Sequence, residues 1–545
     1  FKSKIFYIII LLATLSISFT QTDFYRKIAN SQRLINQVYN QIFSTYVDQL
    51  DPEVFTRSSI NSITENLDPY TTLLVDDQQY SIELLTDGKY GGVGIQLGYR
   101  NKEMTVISPM SESPAQKAGI MSGDIIKKID DSEVKDMSFN DAAAKIRGKK
   151  GTRVKLTIKR FGEKNTIDFI LTRSSIDVKD ISYSGMISPE TGYIRLNRFS
   201  RFASRDFQKE LVDLSKKDIN NLIIDLRDNT GGLLSAAVNI LDMLTEKDLP
   251  LVSTKGRTKE SNRSFYSKRN PIISSDVKIV VLINQGSASA SEIVAGAIQD
   301  LDRGIVIGEK SFGKGLVQTA YEIDKKRTIK ITTARYYIPS GRFIQKRDYV
   351  DSKFLMNKSE EDTLFKTMKG RIVFGNGGIT PDSLVVDKKM ELISTQFWRN
   401  GYFYSFAQEN KFQYKSFNEV KDDKNLLNDF YNYINSRSKP TLPGQKELID
   451  LEKNISSLDS TNTTARKALN TLTDFYSKKI AEKTNAESEE MNQLLLLEFA
   501  GLFNGPEGRI EESFANDLVL NTAKSIVENK NLFITTISND QIIEN

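Results

Sequence analysis

The spacing of apolar residues changes twice along the chain, and each change predicts a different kind of domain. From residue 23 to about 85, apolar positions recur every three or four residues, which predicts helices. From residue 90 the period falls to two, which predicts a small strand-rich domain with short helices at about 114–118 and 138–147. From 185 to 344, predicted strands and helices alternate, and this pattern is typical of an α/β core.

Two segments of that core are almost continuously apolar. Residues 222–226 and 278–283 predict strands that are buried on both faces of a parallel sheet. Further strands are expected at 193–196 and 304–307, with helices between the strands at 204–216, 233–245 and 289–301.

The last third of the chain has a weaker pattern. Residues 375–381 predict a turn-rich loop, and 385–545 are mostly helical and rich in lysine and glutamate. The most apolar stretch there, 493–503, is too short to span a membrane.

Composition excludes several kinds of chemistry. The chain has no histidine and no cysteine, so a Ser-His-Asp triad, a Cys-His pair and an imidazole-held zinc are all ruled out. We predict no metal and no cofactor. The net charge of +5 is small for 545 residues and is not concentrated in a basic patch, which argues against nucleic-acid binding.

Residues 1–20 predict an export segment. Lys2 and Lys4 precede an apolar run at 5–19, and Ser18 and Thr20 stand at −3 and −1 of a cleavage site before residue 21. The alternatives are an uncleaved anchor and a buried helix. We therefore expect an exported, periplasmic protein, with membrane contact at the inner membrane only if 1–20 are retained.

A serine-rich turn follows the second buried strand. The segment GSASASE, residues 286–292, lies where that strand ends and a helix begins. Small residues allow a substrate to approach, and the N–H groups of a helix N-terminus favour a developing negative charge. The alternative is an ordinary turn in which Ser291 and Glu292 cap the helix.

A lysine between two glycines follows at Lys314. In a hydrolase without histidine, a lysine amine can activate a serine, but only when its pKa falls from about 10.4 towards 7–8. Gln318, four residues further on, is able to orient such an amine by a hydrogen bond. The alternative is an exposed Gly-Lys-Gly turn.

A paired glycine follows the first buried strand. In DLRDNTGG, residues 225–232, Gly231 and Gly232 let the backbone turn and present N–H groups to an oxyanion. The alternative is a strand-to-helix turn that simply requires glycine.

Together these three segments resemble the carboxyl-terminal processing peptidases, tail-specific serine proteases with a Ser–Lys dyad. The resemblance covers about residues 25–345 and extends weakly to 385 through 377–382, a segment like that of Bacteroidetes-type members. It implies that Ser289, 25 residues before Lys314, is the nucleophile. Lys314 is then the general base and Gln318 its orienting partner. The N–H of Ala290, with that of Gly231 or Gly232, is implied as the oxyanion hole.

Residues 87–173 resemble a PDZ domain, on the strength of the glycine loop and the later AGI and GDII segments at 118–120 and 123–126. PDZ domains add a peptide as an extra strand and hold its terminal carboxylate in backbone N–H groups. The resemblance therefore implies that Gly92, Val93, Gly94 and Ile95 bind the C-terminal tail of a protein substrate.

We accordingly predict a multidomain α+β protein. Its expected parts are a signal peptide or anchor (1–20), an N-terminal helical region (22–86), a PDZ domain (87–173), a Ser–Lys protease core of the crotonase or Clp type (174–345) and a mostly helical C-terminal extension (346–545).

The predicted function is a serine endopeptidase that cleaves exported proteins near their C-termini. One alternative is an inactive PDZ scaffold that binds protein C-termini. Another is different acyl chemistry on the same fold. Relatives suggest a homodimer through the N-terminal helices, but a helical platform packed on its own core would have the same sequence pattern.

Overall fold

The computed structural model describes residues 2–75, 80–100, 103–110, 112–121, 123–160, 163–324, 326–346, 364–375, 377–437, 440–458 and 462–538. The side chains before residue 23 are not described, so those of the predicted export segment at 1–20 lie outside the described part of the chain. The chain divides into two compact units, residues 1–73 and 74–545, which we describe separately.

The first unit is helical, as predicted. It contains α1 (Lys2–Thr45) and α2 (Pro52–Glu65). Asp51 caps α2 by accepting the N–H groups of Glu53 and Val54 at 2.8 and 3.1 Å, and a proline at the first helical position suits that start. The boundary with the second unit falls within a strand, β1 (Thr72–Val75), which interrupts the helical region predicted to continue to 85. The β-branched and apolar sequence TLLV favours that strand.

The first part of the second unit is a small β-rich domain. Its main sheet has the strand order β3-β4-β5-β7-β8, with β6 on β5, while β2 pairs with β9. Ser138 caps α5 through the N–H of Asp141, so the helix predicted at 138–147 is confirmed. The elements are α3 (Tyr80–Asp87), β2 (Lys89–Gly92), β3 (Ile95–Arg100), β4 (Glu103–Pro109), α4 (Pro114–Lys117), β5 (Ile125–Ile129), β6 (Ser132–Glu133), α5 (Phe139–Ile146), β7 (Arg153–Lys159), β8 (Ile167–Thr172) and β9 (Ser174–Asp177).

The central sheet confirms the predicted α/β core. Its order is β10-β11-β12-β15-β16-β21, with β10 antiparallel to β11 and all other neighbours parallel. Apolar residues on both faces of the middle strands are buried, as their continuous apolar runs predict. The elements of this core are β10 (Ile181–Ser188), β11 (Thr191–Leu196), α6 (Ala203–Ser215), β12 (Asn221–Asp225), α7 (Leu234–Leu244), β15 (Lys278–Ile283), α8 (Ala290–Asp300), β16 (Gly304–Gly308) and β21 (Ser383–Leu384).

A second sheet lies beside this core. Strand β18 pairs with both β13 and β17, and β13 pairs with β14, in each case antiparallel. A short hairpin follows it in the chain. The strands are β13 (Pro250–Gly256), β14 (Arg263–Tyr266), β17 (Leu316–Asp324), β18 (Arg327–Tyr337), and the hairpin pair β19 (Leu364–Lys366) and β20 (Ile372–Phe374).

The C-terminal region is helical, as predicted, but it packs in two separate places. Helices α9–α12 and α15 share one apolar core of their own. Helices α16 and α17 instead cover the face of the central sheet opposite α6–α8. The helices are α9 (Leu392–Arg399), α10 (Tyr402–Asn410), α11 (Phe417–Asp422), α12 (Leu426–Asn435), α13 (Gln445–Leu458), α14 (Thr463–Ala486), α15 (Ser488–Ser513), α16 (Leu518–Glu528) and α17 (Lys530–Ile537).

A multidomain α+β architecture is thus confirmed. Within the described part of the chain, the structure contains no helix that combines the length and the apolar character needed to cross a membrane.

Candidate active site

The three segments singled out in the sequence meet at one edge of the central sheet. Each follows a strand. The glycine pair at 231–232 follows β12, and the serine turn at 286–292 follows β15. The loop that carries Lys314, residues 309–315, follows β16 and is called the lysine loop below. These strands are parallel neighbours in that order. Loops at the carboxyl ends of adjacent parallel strands lie side by side, and this edge is where such sheets bind ligands.

The structure distinguishes Ser289 from the serines on either side of it. Ser287 is buried and donates its hydroxyl to the carbonyl of Leu226 at 2.7 Å. Ser291 is also buried, and its hydroxyl donates to the carbonyl of Asn229 at 2.7 Å. Both therefore hold the turn together. Ser289 is half-buried and has a φ of 57°, an unusual conformation for a residue other than glycine.

The glycine turn is in direct contact with the serine turn. Gly231 has a φ of 97°, and a Cβ added there would lie only 2.8 Å from the Cβ of Ser289 and 2.9 Å from the nitrogen of Ala290. The N–H of Gly231 donates to Oδ1 of Asn229 at 2.9 Å. Gly232, at φ 149°, lies against the backbone of Phe199. Only glycine fits position 231, because a side chain would occupy the space beside Ser289.

Asn229 ties the two turns together. Its carbonyl accepts the N–H of Ala288 at 3.0 Å and the hydroxyl of Ser291, so it is bonded on both sides of Ser289. Its side-chain amide donates to the carbonyl of Leu196 at 2.7 Å. The turn therefore has a fixed position relative to the sheet.

Hydrogen bonds with residues later in the chain fix the position of the lysine loop. Gln345 accepts the N–H of Gly315 at 2.8 Å, and the N–H of Lys346 donates to the carbonyl of Gly313 at 3.0 Å. The N–H of Ser311 donates to the carbonyl of Ile379 at 3.1 Å. The segment at 377–382, noted in the sequence, thus supports the loop that carries Lys314.

Glu292 joins the serine turn to the lysine loop. It is fully buried in the first turn of α8. Its Oε2 accepts the N–H groups of Ser289 at 2.7 Å and Lys314 at 2.9 Å. Its Oε1 accepts the hydroxyl of Ser311 and the N–H of Gly313, both at 2.6 Å. Burial raises the pKa of Glu292 to about 7, against the opposing effect of these four hydrogen bonds.

The sequence pattern gave this glutamate only a local role. Ser289 and Glu292 have the S-x-x-E spacing of a capping box, in which the glutamate returns to the N-cap N–H. That bond is present, but the same carboxylate also accepts the N–H groups of Gly313 and Lys314, which lie 21 and 22 positions further along the chain.

Tyr336 makes a second bridge between the same two segments. Its buried hydroxyl contacts the carbonyl of Lys314 at 2.5 Å and that of Ser289 at 3.2 Å. The backbones of Ser289 and Lys314 are therefore adjacent, and the catalytic pairing of their side chains stays a prediction.

Gln318 lies on β17, directly after the lysine loop. It is half-buried, and its side-chain amide donates to the hydroxyl of Thr332, its neighbour on β18, at 3.4 Å. Its predicted role in orienting the lysine amine stays a prediction.

A cavity of about 230 Å³ lies between β3 and α5 in the small β-rich domain. Val93, Gly94 and Ile95 line it, whereas Gly92 lies in β2 and pairs with Ser174 of β9. The predicted tail binding by these four residues stays a prediction. Gly94 has a φ of 73°. The rest of the lining comprises Tyr90, Gln96, Leu97, Phe139, Ala143, Ile146 and Arg147.

Among the described residues, no group of three or more acidic side chains is placed to hold a metal ion.

Comparison with known proteins gives two family matches. Residues 190–351 match the model of peptidase family S41, and residues 91–171 match that of the PDZ domain. The chain is similar to a carboxy-terminal-processing protease of Bartonella bacilliformis, with 36% identity over 312 residues, covering 56% of this chain and 71% of the relative.

Two further similarities are of the same kind. A carboxyl-terminal-processing protease of Synechocystis is 34% identical over 349 residues, covering 61% of this chain and 80% of the relative. Among solved structures, a photosystem II D1 C-terminal processing protease matches with 27% identity and a TM-score of 0.38, covering 65% of this chain and 92% of that one.

Proposed function

We propose a specific function on the premise that this chain belongs to the carboxy-terminal processing proteases of peptidase family S41, and is therefore a serine-type peptidase. The proposal is an endopeptidase that uses a Ser289–Lys314 dyad and selects proteins by their C-terminal tails. The observation that carries it is the buried carboxylate of Glu292, which bonds to the backbone N–H groups of both residues. An inactive PDZ scaffold is not favoured.

The proposed reaction begins with the hydroxyl of Ser289. Neutral Lys314 takes its proton as the Oγ attacks the substrate carbonyl carbon, and the carbonyl oxygen becomes an oxyanion. When the tetrahedral intermediate collapses, the C–N bond breaks and the lysine ammonium gives that proton to the leaving amine. Water then repeats the sequence: Lys314 takes a proton from it, the hydroxide attacks the acyl carbon, and Ser289 leaves with the proton restored.

The oxyanion hole is proposed from backbone N–H groups. Ala290 begins α8, where the helix dipole favours negative charge. An N–H of the Gly231–Gly232 pair is the second donor. If Gly231 supplies it, that donation replaces its bond to Asn229. Gln318 is proposed to orient the amine of Lys314 from β17.

The tail-binding proposal rests on the cavity beside Gly94. Backbone N–H groups of the loop at 92–95 would hold the terminal carboxylate, and the tail would extend β3 as an added strand. Apolar side chains of Leu97, Phe139 and Ile146 line the cavity and favour an apolar terminal residue.

Export remains part of the proposal and rests on the sequence of residues 1–20 alone. We propose a periplasmic enzyme, held at the inner membrane if this segment is retained. Dimerisation through the N-terminal helices is likewise proposed only from the resemblance.

Tail selection predicts a rate difference between two reporters that differ in one group. We expect an unfolded reporter with an apolar tail and a free carboxylate to be cleaved with a kcat/KM about tenfold or more above that of the same reporter ending in an amide. The amide lacks the negative charge that the loop N–H groups bind. Initial rates from gel or mass-spectrometric assays give the ratio.

A variant that fills the cavity gives the matched control. Ala143→Leu projects extra volume from α5 into the cavity and keeps a good helix former. We expect it to slow cleavage of the carboxylate reporter and leave the amide reporter unchanged. Equal cleavage of both reporters by the native chain would refute tail selection. Tail binding without any cleavage would favour the scaffold.

A further inference from the structure

Helix α16 is fixed to the central sheet at both of its ends. Between them it buries Val519, Leu520, Ala523, Ile526 and Val527 against the sheet. At its start, Asp517 bonds to Arg227, which follows β12. At its end, Glu528 accepts the hydroxyl of Thr191, the first residue of β11, at 2.9 Å. The two contacts therefore lie at opposite edges of the sheet, and Asp517 is at the edge that carries the active site.

Asp517 and Arg227 form a bidentate ion pair. Nη1 and Nη2 of Arg227 donate to the two oxygens of Asp517 at 2.9 and 2.6 Å. Arg227 also donates to both oxygens of Asp225, at 2.6 to 3.1 Å. Side-chain exposure is only 10% for Arg227, 13% for Asp517 and 0% for Asp225. A third carboxylate, that of Asp387, is more exposed, and its Oδ2 is 3.9 Å from Nη1 of Arg227.

The charges in this cluster stabilise one another. Burial alone would raise the pKa of Asp225, but the charge of Arg227 and its hydrogen bonds outweigh that effect, and the pKa is lowered. A planar guanidinium held by two carboxylates has little freedom to rotate, since each ion pair fixes the plane of the guanidinium.

Arg227 in turn begins the turn that touches Ser289. The next residue, Asp228, donates its N–H to Oδ1 of Asn284 at 2.9 Å and accepts the Asn284 amide at the same distance. Asn229 follows and accepts the N–H of Ala288. A continuous set of bonds therefore runs from the C-terminal helix through Arg227 to both sides of the nucleophile turn.

We propose that Asp517 is a positioning residue for the peptidase reaction, acting through Arg227 to hold residues 228–232 against the Ser289 turn. This inference rests on the proposed function, because the turn matters only if it supplies an oxyanion donor. The last helices of the chain then belong to the catalytic core, although they lie far outside the region that matches the S41 model.

The test compares one substitution at each end of the same helix in the full chain. Asp517→Asn removes the charge but retains a good N-cap, so α16 keeps its start. Glu528→Gln removes the charge at the other edge, and its remaining amide oxygen can still accept the hydroxyl of Thr191. Asp517→Glu restores the carboxylate. Each variant is assayed for kcat and KM on the tailed reporter, for its melting temperature, and for hydrogen exchange in a peptide covering 226–233.

We expect Asp517→Asn to lower kcat roughly 10- to 100-fold with little change in KM, since small misplacements of reacting groups cost about this much. Exchange at 226–233 should accelerate. Asp517→Glu should recover most of the kcat, and Glu528→Gln should keep kcat within about twofold of the native value.

Equal kcat values for folded Asp517→Asn and Glu528→Gln, or unchanged exchange at 226–233, would overturn the inference. If the native chain cleaves no reporter, the proposed function fails. The exchange measurement then still decides whether Asp517 holds the turn.

Discussion

We expect Ser289→Ala and Lys314→Met each to lower kcat by roughly 10⁴-fold or more while KM changes little. Ser289→Ala removes the oxygen proposed to form the acyl bond, and Lys314→Met keeps the length of the side chain but removes the proposed proton acceptor. Because the two groups act as one unit, the double variant should be hardly slower than either single variant. Initial rates of cleavage of the tailed reporter give kcat and KM for the two single variants and the double variant.

Neighbouring residues provide the controls for this pair. Ser291→Ala leaves one hydrogen bond to Asn229 unmade and should lower the free energy of unfolding by about 1–3 kcal/mol. Its kcat should fall far less than that of Ser289→Ala. Lys310→Met, at an exposed position in the lysine loop, should cleave normally. Cleavage that survives Ser289→Ala in a folded protein would mean that the nucleophile lies elsewhere.

Local signals were enough to predict the turns that meet at this edge of the sheet. The apolar runs of β12 and β15 predicted two buried strands, and each runs directly into a glycine or serine turn. Parallel pairing of β12 with β15, and of β15 with β16, then brings the turns together. The choice of Ser289 among three serines came from the resemblance to the carboxyl-terminal processing peptidases, and it stays a prediction. In the structure the hydroxyls of Ser287 and Ser291 both hold the turn.

What the sequence did not predict depends on contacts between distant segments. The capping-box spacing explains Glu292 locally and gives no sign of its bonds to the lysine loop. The packing of α16 on the sheet brings together Arg227 and Asp517, which are 290 positions apart. An amphipathic helix has an apolar face, but its sequence does not say which surface that face will cover.

Glu292→Gln is expected to have the next largest effect, lowering kcat by roughly 10²- to 10³-fold, similar to the loss of an oxyanion donor. The carboxylate accepts four hydrogens on two oxygens, whereas an amide offers one accepting oxygen and turns two N–H donors towards existing donors. The backbone N–H groups of Ser289 and Lys314 then cannot both keep their partner. Steady-state kinetics and thermal melts of the full chain measure the two consequences.

The pH dependence of stability gives an independent measure of the same residue. The pKa of Glu292 is raised to about 7 in the folded protein, above its ordinary value near 4.5. Between these values the folded chain holds a proton that the unfolded chain has lost, so this glutamate's contribution lowers the free energy of unfolding as pH rises, by about 3 kcal/mol in total. Glu292→Gln should remove that dependence, which denaturant melts at pH 5 and pH 8 will show.

Activity should respond to pH in the opposite direction. Below pH 7, protonated Glu292 no longer accepts all four hydrogens, so kcat of the native chain should fall with an apparent pKa near 7. This fall adds to the loss from protonation of a lysine base.

Glu309 is the matched control. At the surface, it accepts a hydrogen bond from the side-chain amide of Gln285 at 2.7 Å, and this bond joins the residue before the serine turn to the start of the lysine loop. Glu309→Gln should change neither kcat nor its pH profile by more than about twofold, because exposed polar contacts contribute little. A Glu292→Gln variant with native kcat, or with an unaltered acid limb, would show that the bridge between Ser289 and Lys314 is not required for the reaction.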